Sequence, residues 1–144
     1  MKKIPELKLS KKGNELINFY KLMVEKGYSN DNFNPGRFKK ILKNIFDDFN
    51  IKTVLDYGSG RGSWEKKIYN NGTVSALEYF KLDKIYQYEP TIRNSKKIAS
   101  DCVICFDVLE HVYISDLKNV VTDLYNHAKK IVVIQVACYN AKAQ

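Results

Sequence analysis

The stretch Val54-Leu55-Asp56-Tyr57-Gly58-Ser59-Gly60-Arg61-Gly62 constrains the fold more than any other part of the chain. Thr53 to Tyr57 is a short apolar run without polar alternation, the pattern of a strand covered on both faces, as in parallel sheets. It closes on a carboxylate and then places glycine at every second position. Residues without a Cβ let the chain turn sharply and let a ligand approach the backbone closely. A tight turn needs one glycine; three behind an acid point to a binding bend at the carboxyl edge of an α/β sheet.

The elements around this bend alternate. Asn14 to Lys26 predicts a helix with Leu16, Phe19, Tyr20 and Met23 on one face. After a polar loop from Gly27 to Asn34, Asn34-Pro35 reads as an N-cap followed by a first-turn proline. Phe38, Ile41, Leu42, Ile45, Phe46 and Phe49 continue at helical spacing. Beyond the bend, Ser63 to Tyr69 is expected to be a helix stopped by Asn70-Asn71-Gly72, with a second short helix over Val74 to Phe80. Lys84 to Glu89 predicts a second strand tipped by an acid, and Cys102 to Phe106 a third. Ser115 is placed to cap a helix bearing Leu117, Val120, Val121, Leu124 and Ala128. Ile131 to Ala137, β-branched and apolar, predicts the last strand. Strands separated by helices imply parallel pairing with right-handed crossovers.

Composition narrows the partners. The 144 residues suit one domain, and no run approaches the roughly 20 apolar residues of a membrane span. The basic start lacks an apolar core and a small-residue cleavage site, so a cytoplasmic location is expected. The net charge of +8 comes from lysine pairs scattered along the chain, such as Lys39-Lys40 and Lys129-Lys130. Arginine, the better reader of base edges, occurs only at Arg37, Arg61 and Arg93. Solvated surface charge is therefore favoured over a nucleic-acid groove. Cys102 and Cys105 have the spacing of a metal knuckle but fall three apart on a strand, on opposite faces. Buried structural cysteines are expected, and no metal.

Two further strings carry chemistry. Glu89, at the end of Tyr86-Gln87-Tyr88, is placed to accept hydrogen bonds from ribose hydroxyls. Asp101 to Val112 ends in Asp107-Val108-Leu109-Glu110-His111-Val112. Together with the G-x-G-x-G bend, these strings resemble class I S-adenosylmethionine-dependent methyltransferases. The nicotinamide fingerprint would want glycine where Ser63 stands. The resemblance is closer to short methyltransferases of phage and environmental bacterial genomes. It rests on Tyr88-Glu89-Pro90, Ser95-Lys96-Lys97, Val103 to Val112, Val136 to Lys142 and the upstream Phe33 to Arg37, and covers about residues 16 to 144.

The resemblance implies that S-adenosylmethionine is held by Asp56, Tyr57, Gly58, Ser59, Gly60, Glu89, Pro90, Asp107 and Val108, leaving S-adenosylhomocysteine as product. It places Glu110 and His111 at the mouth of the site as its catalytic residues, with His111 able to serve as general base. The acceptor is left open as a small molecule or a protein side chain. An adenine or cytosine amino methylase would carry an Asn/Asp-Pro-Pro-aromatic motif where Asp107 to Glu110 stand.

The chain also departs from the family. The stretch between Glu89 and Asp107 is too short for helix, strand and second helix, since a crossover alone takes about 10–12 residues. The usual third strand is thus expected to be reduced or absent, leaving the adenine contacts to a stretch such as Ile92 to Lys96. The sequence reaches Gln144 just past the fifth strand of the family order, where members add two more. The expected sheet has about four strands in family order 2-1-4-5, preceded by N-terminal helices over residues 1–50. Its Ile131–Ala137 edge is open, so that either the chain is a shortened product of a longer protein or the edge is completed by a partner, a second copy pairing through that strand as a homo-oligomer being one such partner. The alternative to an enzyme is a shortened, non-catalytic cofactor-binding or interaction module.

Overall fold

The fold was obtained as a computed structural model and is described for residues 3–28, 34–92 and 96–138. The resemblance segments at Phe33, at Ser95 and from Tyr139 to Lys142 lie outside these residues, as does the middle of the Ile92–Lys96 stretch. Most of the loop expected between the first two helices lies outside them too.

Ser10 opens helix α1 (Lys11–Glu25), its hydroxyl accepting from the Gly13 amide at 3.1 Å. The helix thus begins earlier than the apolar periodicity indicates. Leu16 and Tyr20 turn inward, but Phe19 is 57% exposed and does not belong to the inner face. Next come α2 (Asn34–Arg37) and α3 (Lys39–Asp48), divided at Phe38. Asn34 is the first residue of α2 rather than its cap. Leu42 and Phe46 are buried, while Ile41 and Phe49 face solvent.

Strand β1 (Thr53–Tyr57) follows as expected. The helix expected over Ser63 to Tyr69 is absent. Trp64 is instead 1% exposed, with its indole N–H donating to Asp56 Oδ2 at 2.8 Å. β2 (Lys67–Tyr69) then pairs antiparallel with β3 (Val74–Ser75). Asn70, Asn71 and Gly72 all take positive φ (49, 58 and 79°), so the residues read as a helix stop make a hairpin turn. Asn and Gly tolerate that backbone, and seven residues holding a Trp and a Tyr gain more by burying both rings than by one short helix. Ser75 caps a single turn, α4 (Ala76–Tyr79), before β4 (Lys84–Tyr88).

β5 (Ser100–Phe106), a 3-10 turn at Leu109–His111, α5 (Ile114–His127) and β6 (Ala128–Gln135) complete the described chain. Tyr113, not Ser115, stands at the N-cap of α5. The last strand starts and ends earlier than its apolar run suggests.

The large sheet is parallel with order β4-β1-β5-β6. It is the four-stranded, Rossmann-like arrangement the element pattern implies, without a strand between β4 and β5. Alternation along β1 sends Val54 to one core with Leu42, Phe46, Trp64 and Phe80, and Leu55 and Tyr57 to the other with Val120 and Leu124. Cys102 and Cys105 divide between the same two cores, and burial pushes both thiols up to about 12. Register pairs Tyr57 with Tyr88 and Phe106 with Gln135, which levels the strand tips along one edge. Among the described residues no helix is long and apolar enough to cross a membrane.

Candidate functional site

From β1 the chain crosses to β4 on one side, then returns to β5 on the other. The segments leaving β1 and β5 diverge, opening a crevice at the carboxyl edge, the usual binding place of open α/β sheets. A cavity of about 270 Å³ occupies it.

The glycine bend closes over the tip of β4. The Gly58 and Ser59 amides both donate to the Tyr88 carbonyl, at 2.7 and 3.1 Å. The Gly60 amide donates to Glu89 Oε2 at 3.2 Å, and Gln87 Nε2 donates to the Gly62 carbonyl at 2.6 Å. Glu89 Oε1 accepts from the Thr91 amide and hydroxyl, at 3.1 and 2.8 Å. A carboxylate has about four acceptor sites, and these bonds use three. The fourth could take one ligand hydroxyl without rearrangement, whereas a diol's second bond would have to displace Thr91 Oγ1 or the Gly60 amide.

Gly58 has φ +82°, and a Cβ there would run into the Val108 side chain. The space beside Gly58 is thus filled by Val108. A larger residue at 58 would therefore collide with protein before it reached a ligand. Asp107 holds φ +54° at the tip of β5, its amide donating to the Gln135 carbonyl and Oε1 at 3.2 and 3.1 Å. Left-handed backbone at a non-glycine residue persists only where its surroundings impose it, and such positions gather at functional sites.

All nine residues proposed for the cofactor line the cavity, from Asp56 to Gly60 on one wall and Glu89, Pro90, Asp107 and Val108 around it. So do Ile92 and His111. Glu110 does not. Its Oε1 accepts from the Ala137 amide at 3.3 Å, tying the 3-10 turn to the chain beyond β6. Asp56 faces Trp64 as well as the cavity. Tyr57 lines the cavity while its hydroxyl donates to Asp123 Oδ2 at 2.7 Å, where Lys97 Nζ also binds at 2.6 Å. Burial, then the bond to Asp123, raise the Tyr57 hydroxyl far above its ordinary range, so it serves as a donor.

Residues outside the sequence motifs complete the cavity. α1 supplies Gly13, Leu16, Ile17, Tyr20 and Val24, with Tyr28 just beyond it, while Val112, Tyr113, Asp116 and Val120 come from the entry to α5. Asp116 is 2% exposed and accepts from the Ser10 amide and hydroxyl at 2.7 and 2.8 Å. One signal for this was present. Asp116, Asp123 and His127 fall on the stripe of α5 that also holds Val120 and Leu124, so three polar residues occupy buried positions of an amphipathic helix. Buried polar groups there require partners.

Among the described lining residues the full charges are the carboxylates Asp56, Glu89, Asp107 and Asp116; no Lys or Arg is present. The bend's first three amides are spent on β4 and Glu89, and the chain after the bend is hairpin rather than helix. A pyrophosphate needs free amides at a helix N-terminus, and this crevice is ill-suited to a dinucleotide. Among the described residues no group of three or more His, Cys, Asp or Glu side chains is arranged to hold a metal. Compared with protein-family models, curated proteins and solved structures, the chain matches none.

Proposed function

We propose that the chain binds S-adenosylmethionine in this crevice and transfers its methyl group to an acceptor held under α1. The observation that carries the reading is the Gly60–Glu89 contact at 3.2 Å, which puts the strand-end acid and the glycine bend on one wall of one cavity. The chemistry of the lining supports it. S-adenosylmethionine lacks a phosphate and bears a sulfonium and an ammonium against one carboxylate, so a wall of carboxylates favours it where it would repel a dinucleotide.

In this reading Glu89 takes a ribose hydroxyl and the nucleoside lies against the bend at Ser59 and Gly60, while Gly58 packs on Val108. Ile92 packs toward the base, and Asp56 and Asp107 face the positive groups. When bound, the cofactor supplies an electrophilic methyl: the acceptor's lone pair forms the bond to carbon and the carbon–sulfur pair stays on sulfur. The acceptor's proton goes to His111, which lines the cavity. Glu110 holds the turn that carries His111, a positioning role in place of a catalytic one. Orienting the acceptor against the methyl does most of the remaining work. A cytoplasmic location belongs to the same proposal.

Calorimetry with S-adenosylmethionine, S-adenosylhomocysteine and reduced nicotinamide dinucleotide tests the binding. Heat with the first two and none with the third is expected; no heat with either of the first two overturns the reading. The alternative, a binding module that transfers nothing, is favoured by the edge position of β6, where Ile134, and Val136 just past the strand, are 37% and 39% exposed. Release of S-adenosylhomocysteine during incubation with acceptors separates the two.

A further inference from the structure

The cavity has two unlike halves, and the half away from the sheet carries information about the acceptor. On the sheet side stand the glycine bend, Glu89 and Asp107. On the other side Leu16, Ile17, Val24 and Val112 form an apolar wall broken by the rings of Tyr20, Tyr28 and Tyr113. Tyr20 from α1, Tyr28 just beyond it and Tyr113 at the entry to α5 line this half together, and burial, then Tyr28 and Tyr113, raise the Tyr20 hydroxyl above its ordinary range. In a chain with 24 Lys and Arg against 16 Asp and Glu, the described lining holds four carboxylates and His111. The N-terminus of α5 also opens here, but Asp116 in its first turn offsets the positive dipole end.

Resting on the reading above, we infer that the acceptor is a small primary or secondary amine on an apolar or aromatic body, seated among Tyr20, Tyr28 and Tyr113. A carboxylate, sulfate or phosphate acceptor would meet no cation among the described lining residues and would face the sheet-side carboxylates across the cavity. A hydroxyl acceptor is a weak nucleophile until its proton leaves, which builds negative charge on oxygen facing the same carboxylates. An amine does the reverse. Its nitrogen becomes positive as the lone pair takes the methyl carbon and the carbon–sulfur pair returns to sulfur, and one N–H proton then passes to His111. Carboxylates placed where positive charge develops favour that course, and the faces of tyrosine rings attract the resulting ammonium. Size sets a limit: about 270 Å³ lies just below the roughly 300–1,000 Å³ range of small-molecule sites, so only a small acceptor could share it with a nucleoside.

The test titrates the full chain, loaded with S-adenosylhomocysteine, with 2-phenylethylamine, 2-phenylethanol and 3-phenylpropionate, which share a shape and differ in charge. The amine is expected to bind most tightly and the acid not at all. Tyr20→Leu and Tyr113→Leu should each weaken the amine about tenfold and leave the alcohol unchanged, while Tyr20→Phe, which keeps the ring, retains most of the amine's affinity. Thermal unfolding of each variant checks that it is folded. An acid that binds as well as the amine, or an amine no better than the alcohol, overturns the inference. If S-adenosylhomocysteine binds and the amine does not, the inference falls and the cofactor reading stands. If the amine binds and S-adenosylhomocysteine gives no heat, the cofactor reading falls and the amine site stands.

Discussion

Gly58 and Glu89 serve the same bend in different ways, and their substitutions should fail differently. Any side chain at 58 meets a left-handed backbone, which costs about 1–2 kcal/mol, and the Val108 side chain besides. Gly58→Ala is therefore expected to lower the unfolding midpoint in urea, with cofactor affinity lost only as the bend deforms. Glu89 is half-buried at a strand tip, and its removal leaves the Gly60 and Thr91 donors to water without forcing a strained backbone. Glu89→Ala should weaken S-adenosylhomocysteine binding by about 1.5–3 kcal/mol, the range for hydrogen bonds to a charged group, with the folded baseline kept. Calorimetry beside urea titration reads both; unchanged affinity in Glu89→Ala would remove the ribose role. Glu89 was legible because an acid ending an apolar strand is a local pattern. The contact between Gly58 and Val108 was not, because it depends on β1 pairing with β5, residues far apart in the chain.

Elements with long apolar patterns were legible, and those decided by a few rings were not. β1, β4, β5 and α5 fall close to where their apolar runs place them, since a buried strand and an amphipathic helix each leave a periodic trace. The segment Ser63 to Tyr69 has no such trace. Its fate rests on Trp64 reaching Asp56 and on Tyr69 joining Phe80 and Tyr79 at ring distances of 6.2 and 4.8 Å. Asn70-Asn71-Gly72 suits a helix end and a hairpin turn equally, because both need positive φ. At Asn71, with φ 58°, a β-branched residue is strained in a way asparagine is not. Asn71→Val should cost about 1–2 kcal/mol of unfolding free energy while Asn71→Gly leaves stability nearly unchanged. Equal stability of the two variants in urea titration would argue against the turn.

At the scale of the whole molecule, the N-terminal residues are a wall of the cavity, held in place by one buried carboxylate. Asp116 accepts from the Ser10 amide and hydroxyl, the Ser10 hydroxyl accepts from the Gly13 amide, and Asn119 Nδ2 donates to the Lys8 carbonyl at 3.1 Å. Gly13 belongs to the same junction, since a Cβ there would strike the Asp116 carboxylate. Leu7 and Leu9 pack beside this clasp against the core that holds Leu55 and Val120. The stripe of α5 hints that Asp116 needs a partner, but the partner was not legible along the chain, where Ser10 and Asp116 are distant and each looks like an ordinary helix-start residue. Asp116→Ala strands the Ser10 donors and removes hydrogen bonds to a charged group, a loss of about 1.5–3 kcal/mol. The loss should be concentrated in α1, because the sheet and α5 keep their own contacts. Hydrogen exchange is then expected to speed up in the amides of α1 and stay slow in β1 and β5. Ligand affinity should fall as the wall of Leu16, Ile17 and Tyr20 loosens. Uniform acceleration across the molecule would mean that Asp116 supports the fold at large, whereas unchanged exchange in α1 would mean that the helix is held by its apolar face alone.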